Sequence, residues 1–221
     1  MRKVKAYTAD QVFTGDEWLN HHAVIIDNGM IVDVAPAASL QENIITEKLE
    51  GCFLAPAFID LQIYGAHEKL LAVYPEADSL FKLNEYCNNG GAAFCLPTVS
   101  TNTYEVLYKC IDAIKDYWNK GGQGILGFHI EGPWINPVKK GAHIESLIHS
   151  PSLKQVEDLL NYGKGVIKII TLAPEVCSKE VMDCILSITS LYQRDIVMQP
   201  ITRRWIVLPA ALLPSHIYIT P

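Results

Sequence analysis

The stretch Gly127-Phe128-His129-Ile130-Glu131-Gly132-Pro133-Trp134, followed by Lys139-Lys140-Gly141-Ala142-His143, decides both the fold and the site. Ile125 to Ile130 is a short apolar run between Gly124 and Gly132-Pro133, the pattern of a strand buried on both faces in a parallel sheet. Glu131 then falls at the carboxyl end of that strand, with His129 two residues earlier and His143 in the following loop. Such strand ends carry the metal and catalytic groups of α/β barrels. A buried carboxylate beside two imidazoles needs compensation, and a divalent cation is a common answer. A capped turn with hydrogen-bonded core histidines is the other answer, and the octapeptide alone leaves both open.

Working outward, Leu54-Ala55-Pro56-Ala57-Phe58-Ile59-Asp60-Leu61-Gln62-Ile63-Tyr64-Gly65-Ala66 is a second apolar strand ending in polar groups. Asp60 and Gln62 are two residues apart and share a strand face. Before Leu54, Ala23-Val24-Ile25-Ile26-Asp27 and Met30-Ile31-Val32-Asp33-Val34 flank Asn28-Gly29, a strong hairpin signal. The chain therefore divides into a small β unit over 1–53 and alternating strand and helix patterns beyond it. Helices are expected over Ser79–Cys87, Thr103–Lys120, Ser152–Tyr162 and Ser178–Leu191, with strands over Ala93–Leu96 and Val166–Leu172. In the Thr103–Lys120 helix, Val106, Cys110, Ile111, Ile114 and Trp118 form the apolar side.

Composition bounds the function classes. The 221 residues are 49% hydrophobic, enough for a sizeable core, and carry a formal net charge of −6. That charge argues against general affinity for nucleic acid or for an anionic membrane. No apolar stretch reaches 18 residues and the N-terminus lacks a signal-peptide core, so a cytoplasmic protein is expected. Six cysteines without a Cys-x-x-Cys pair read as reduced thiols rather than a zinc ribbon or redox pair.

With Glu131 in Gly-Phe-His-Ile-Glu-Gly-Pro-Trp and Asp60-Leu61-Gln62-Ile63-Tyr64-Gly65 in the Asp-x-Gln-x-x-Gly form, the sequence resembles the amidohydrolase superfamily, and within it the N-acetylglucosamine-6-phosphate deacetylases. Pro97-Thr98-Val99-Ser100-Thr101-Asn102 and Ile170-Thr171-Leu172-Ala173-Pro174-Glu175 are similar to that family in the same order, so the resemblance covers about residues 3 to 197. It implies an α/β fold: a partial (β/α)8 TIM barrel of the metal-dependent hydrolase type over 54–197, a β-sandwich part over 1–53, and a diverged tail over 198–221. The implied reaction is hydrolysis of the N-acetyl group of N-acetylglucosamine 6-phosphate to glucosamine 6-phosphate and acetate. A divalent metal ion, zinc or iron, is the implied cofactor, with Glu131 as ligand. Ala142, His143 and Gln62 are implied in substrate binding, His129 in a supporting role, and a homodimer as the assembly.

The sequence departs from the family pattern after Val197. Where a Gly-His metal-ligand segment is expected, it reads Met198-Gln199-Pro200-Ile201. Ser215-His216-Ile217-Tyr218 is similar to a later family segment and makes His216 a second candidate ligand. The family's general acid/base Asp has no counterpart. A complete barrel takes on the order of 250 residues, so an inactive fragment, or a protein that binds sugar phosphate without catalysis, stands as the alternative expectation.

Overall fold

The computed structural model describes residues 4–191, 196–201 and 204–209, and the chain divides into two compact units after Phe58. In the first unit the strands are β1 (Val4–Phe13), β2 (Trp18–Asn20), β3 (His22–Asp27), β4 (Met30–Pro36) and β5 (Ile45–Leu54). They form one sheet in the order β2-β1-β3-β4, with β5 pairing β1 in parallel. Asn28 and Gly29 both take positive φ, 51° and 79°, and turn β3 antiparallel onto β4. That is the two-residue turn whose twist matches the flanking strands. A small core of Val12, Val24 and Leu54 lies under this sheet. Because β5 runs through Leu54, the division falls a few residues later than the expected boundary at 53/54.

The second unit opens with β6 (Phe58–Ile63) and a short hairpin, β7 (Gly65–Ala66) and β8 (Lys69–Leu70). Then come α1 (Ala77–Asn89), β9 (Ala92–Ser100), α2 (Tyr104–Asn119), β10 (Phe128–Glu131), α3 (Leu153–Tyr162), β11 (Ile167–Leu172), α4 (Lys179–Leu191), β12 (Ile196–Ile201) and β13 (Arg204–Pro209). Local chemistry sets the helix limits. Thr103 caps α2 by accepting from the Val106 amide, and Ser152 with Gln155 forms a capping box on α3. Gly90 ends α1 and Gly163 ends α3. The buried side of α2 is Leu107, Cys110, Ile111, Ala113, Ile114 and Tyr117. Val106 and Trp118, expected on that side, are partly buried at its margins, and the Trp118 indole donates to Ile125 O.

The sheet of this unit is ordered β12-β13-β11-β10-β9-β6. β9, β10 and β11 are parallel neighbours, with α2 and α3 in the connections. Val99, Phe128, Ile130, Leu107, Ile111, Val156 and Leu159 are all buried in the core between sheet and helices, each contributing roughly 1.5–3 kcal/mol by leaving water. Beside β11, however, stands β13, running antiparallel to it, and among the described residues β12 pairs only with β13. The described sheet thus departs from an all-parallel barrel row at that edge. β10 is also shorter than the expected strand, since Ile125 makes only an isolated bridge to Cys95. Gly127, between Ile125 and Phe128, takes φ +155° and breaks the run. All six cysteines are free thiols, and no helix among the described residues is long and apolar enough to cross a membrane.

Candidate functional site

The candidate site lies at the carboxyl ends of β6, β9 and β10 in the second unit. Glu131 closes β10, with 10% of its side chain exposed, and His143 in the following loop has 11% exposed. Glu131 Oε1 lies 4.0 Å from His143 Nε2. The two residues singled out in the sequence, twelve positions apart, are therefore together.

His143 is oriented from β9. Its Nδ1 accepts from the Thr101 amide at 3.3 Å and lies 2.8 Å from Thr101 Oγ1. A backbone N–H can only donate, so in the neutral ring Nδ1 holds the lone pair and Nε2 carries the proton. Nε2–H is the edge turned toward Glu131. The loop between them is held by Asn136 Nδ2 donating to Glu175 Oε1, and by Lys140 paired with Glu145 at 3.2 Å. Tyr104 accepts from the Trp134 indole and lies 3.2 Å from His149 Nε2.

His129 is 3% exposed and bound on both ring nitrogens. Nδ1–H donates to Leu61 O at 2.9 Å, which leaves Nε2 to accept from the Thr171 hydroxyl at 2.8 Å. Burial holds its imidazole below the usual range, against smaller opposing effects of Leu61 O and Glu131. It is a neutral brace tying β6, β10 and β11, with its lone pair already spent.

On β6, Asp60 Oδ1 accepts from the Gln62 amide at 2.9 Å. Gln62, exposed at the strand end, donates from Nε2 to the Tyr64 oxygen at 2.7 Å. Tyr64 in turn donates to Glu131 Oε2 at 2.5 Å. Tyr64 continues the alternation of Asp60 and Gln62 one step past the strand end, and it is a site residue that the sequence reading passes over. Ala142 sits exposed in the turn before His143. His216 lies outside the described residues.

Glu131 fits a divalent cation in one respect: it is a buried carboxylate whose only ion-pairing partner among the described residues is an imidazole. The set is incomplete, since no group of three or more His, Cys, Asp or Glu among the described residues could hold a metal. The described residues therefore offer one ligand and a polar surround.

The described fold is that of an α/β protein with a small N-terminal β unit. Its fold is similar to the crystal structure of N-acetylglucosamine-6-phosphate deacetylase from Pasteurella multocida, with TM-score 0.72 and 24% identity over 95% of this chain and 62% of that one. Residues 6–54 match the NagA composite domain. The N-acetylglucosamine-6-phosphate deacetylase of Haemophilus influenzae is 32% identical over 164 residues, 74% of this chain and 43% of that protein. The chain is thus similar to N-acetylglucosamine-6-phosphate deacetylases over most of its own length, and its N-terminal unit matches the NagA composite domain. It is also 28% identical over 170 residues to an N-acetylgalactosamine-6-phosphate deacetylase of Escherichia coli O157:H7, covering 76% of this chain and 43% of that protein. The chain thus spans less than half the length of these curated relatives.

Proposed function

We propose that this chain carries part of a site that hydrolyses the N-acetyl group of N-acetylglucosamine 6-phosphate, releasing acetate and glucosamine 6-phosphate. The observation that carries the reading is the approach of Glu131 to His143 at a strand end, in a chain with this similarity. Glu131 would hold a divalent cation, zinc or iron, with further ligands from outside the described residues, His216 among them. Such an ion supplies an activated water and polarises the acetamide carbonyl. His143, with its Nε2–H on the Glu131 side, suits a donor to a sugar hydroxyl or to the acetamide oxygen. The Ala142 backbone and the Gln62 amide would complete the contacts.

The same reading takes β6, β9, β10 and β11 with their helices as the opening part of a (β/α)8 barrel over about 54–197, 1–53 as part of the small β domain and 198–221 as a diverged tail. A cytoplasmic homodimer without nucleic-acid or membrane contacts completes it. The incomplete ligand set among the described residues favours a second reading, in which the chain binds sugar phosphate without turning it over.

The test is acetate release from N-acetylglucosamine 6-phosphate by the full chain loaded with zinc or iron, alongside sugar-phosphate binding by calorimetry. The N-acetylgalactosamine isomer serves as the comparison substrate. Release that disappears in Glu131→Gln supports the hydrolase reading. Binding lost in His143→Ala without release supports the binding-only reading. Absence of both, or release unchanged in Glu131→Gln, overturns the proposed site.

A further inference from the structure

We infer that Tyr64 is the positioning residue of Glu131, holding one carboxylate oxygen by hydrogen bond so that the other is presented beside His143. The inference rests on the reading of Glu131 as a cation ligand.

Strand order explains why a tyrosine stands here. β6 and β10 are separated by β9, and neighbouring strands lie about 4.8 Å apart, so a side chain from the end of β6 and that of Glu131 must together span roughly 10 Å. A glutamine at the end of β6 falls short, whereas a phenol one alternation further along reaches it. The contacts follow that arithmetic: Gln62 Nε2 stops at the Tyr64 oxygen, 2.7 Å, and Tyr64 O–H carries the connection to Glu131 Oε2 at 2.5 Å.

The direction of the relay is fixed by chemistry. An amide N–H can only donate and an ionised carboxylate can only accept, so the single phenolic proton is committed to Glu131. The bond from Gln62 polarises the phenol and strengthens its donation, and a hydroxyl on a carboxylate is among the stronger protein hydrogen bonds. Oε2 is thereby occupied, and Oε1 is the oxygen on the His143 side.

The backbone carrying the phenol is itself constrained. Tyr64 O accepts from the Leu71 amide at 3.0 Å, which closes the β7–β8 hairpin onto the end of β6. The hairpin turns on His67 and Glu68, both at positive φ (50° and 64°). Gly65 lies so close to the returning strand that a Cβ there would come within 2.1 Å of Lys69 O. Tyr64 is thus held from behind by a tight turn and directed forward onto the carboxylate.

The experiment measures zinc affinity of the full 221-residue chain by competition with a chromophoric chelator, for wild type, Tyr64→Phe, Gln62→Leu and Glu131→Gln. Absorption spectra of the cobalt-loaded proteins and melting without metal are recorded alongside. Removing a group that orients a metal ligand typically costs about 10–100-fold in affinity. Tyr64→Phe is expected to weaken zinc by that factor and to change the cobalt spectrum, while metal-free melting stays close to wild type. Gln62→Leu should weaken zinc severalfold, and it decides the matter if Tyr64→Phe does not fold. Wild-type affinity and spectrum in Tyr64→Phe, or in Gln62→Leu where that variant decides, with zinc lost in Glu131→Gln, overturns the role of Tyr64 alone. If wild type and Glu131→Gln do not differ, the reading of Glu131 as a ligand falls and this inference with it.

Discussion

The Thr101 amide and hydroxyl converge on one nitrogen of His143, at 3.3 and 2.8 Å from Nδ1. This contact sets the tautomer, and it makes His143 a hydrogen-bond donor toward Glu131 rather than a lone-pair ligand. Long-range nitrogen–proton NMR of the imidazole is expected to place the proton on Nε2. In Thr101→Val the backbone amide remains and the hydroxyl is lost, so the same tautomer should persist with a broader, less ordered ring signal. A proton on Nδ1 in the wild type would contradict the assignment.

Gly132 stands behind that contact. It adopts φ +83°, and a Cβ added there would lie 2.4 Å from Thr101 Oγ1. Gly132→Ala therefore combines backbone strain with displacement of the hydroxyl that meets His143. Strain of this kind costs about 1–3 kcal/mol. Urea unfolding should report a loss of that size, and the His143 ring signal should shift as in Thr101→Val. A stability equal to wild type with an unmoved His143 would show that the turn relaxes freely.

His129 links strands that are not neighbours, through Leu61 O on β6 and the Thr171 hydroxyl on β11. His129→Ala leaves the buried Thr171 hydroxyl and the partly buried Leu61 carbonyl without it and opens space in the core. Each orphaned group costs about 1–3 kcal/mol, so a loss of roughly 2–5 kcal/mol is expected in urea unfolding. His129→Gln, which retains a donor and an acceptor, should recover part of it. A loss below about 0.5 kcal/mol in the alanine variant would remove the brace from the account.

What is legible in the sequence is local. Asn28-Gly29 announces its turn because few other residues accept two positive φ values in succession, and Thr103 and Ser152 announce helix starts through their capping oxygens. Glu131 and His143 are legible because one ends an apolar run and the other follows a basic pair and a glycine. The contact through Tyr64 is not legible, since it depends on β9 lying between β6 and β10, a fact of strand order. The turn at His67-Glu68 is equally silent: it takes the same backbone form as Asn28-Gly29 with neither residue to signal it. Nor does alternation along Ile196–Ile201 and Arg204–Pro209 reveal direction, so the antiparallel run of β13 beside β11 appears only in three dimensions. The apolar stripe of α2 is displaced because Tyr117 turns inward and Trp118 turns its indole to the edge.

Tyr117 gives the last expectation. Its side chain is fully buried, and the ring packs 4.6 Å from that of Phe81. Its hydroxyl donates to Gln123 O. Burial, helped by Cys95 and opposed by the bond to Gln123, pushes the phenol up to about 12, whereas an unfolded tyrosine titrates near 10. A folded value above the unfolded one means that the stabilising contribution is complete below pH ~10. It is then lost as pH rises from ~10 through 12, because the unfolded chain sheds the proton first, and one such group gives a slope of at most about 1.4 kcal/mol per pH unit. Tyr117→Phe should cost about 1 kcal/mol at pH 7 through the lost hydrogen bond. Its stability should then fall less steeply than wild type between pH 10 and 11.5, so the two curves converge. Urea unfolding across that range measures the difference directly, and parallel curves would mean that the alkaline loss arises at other groups.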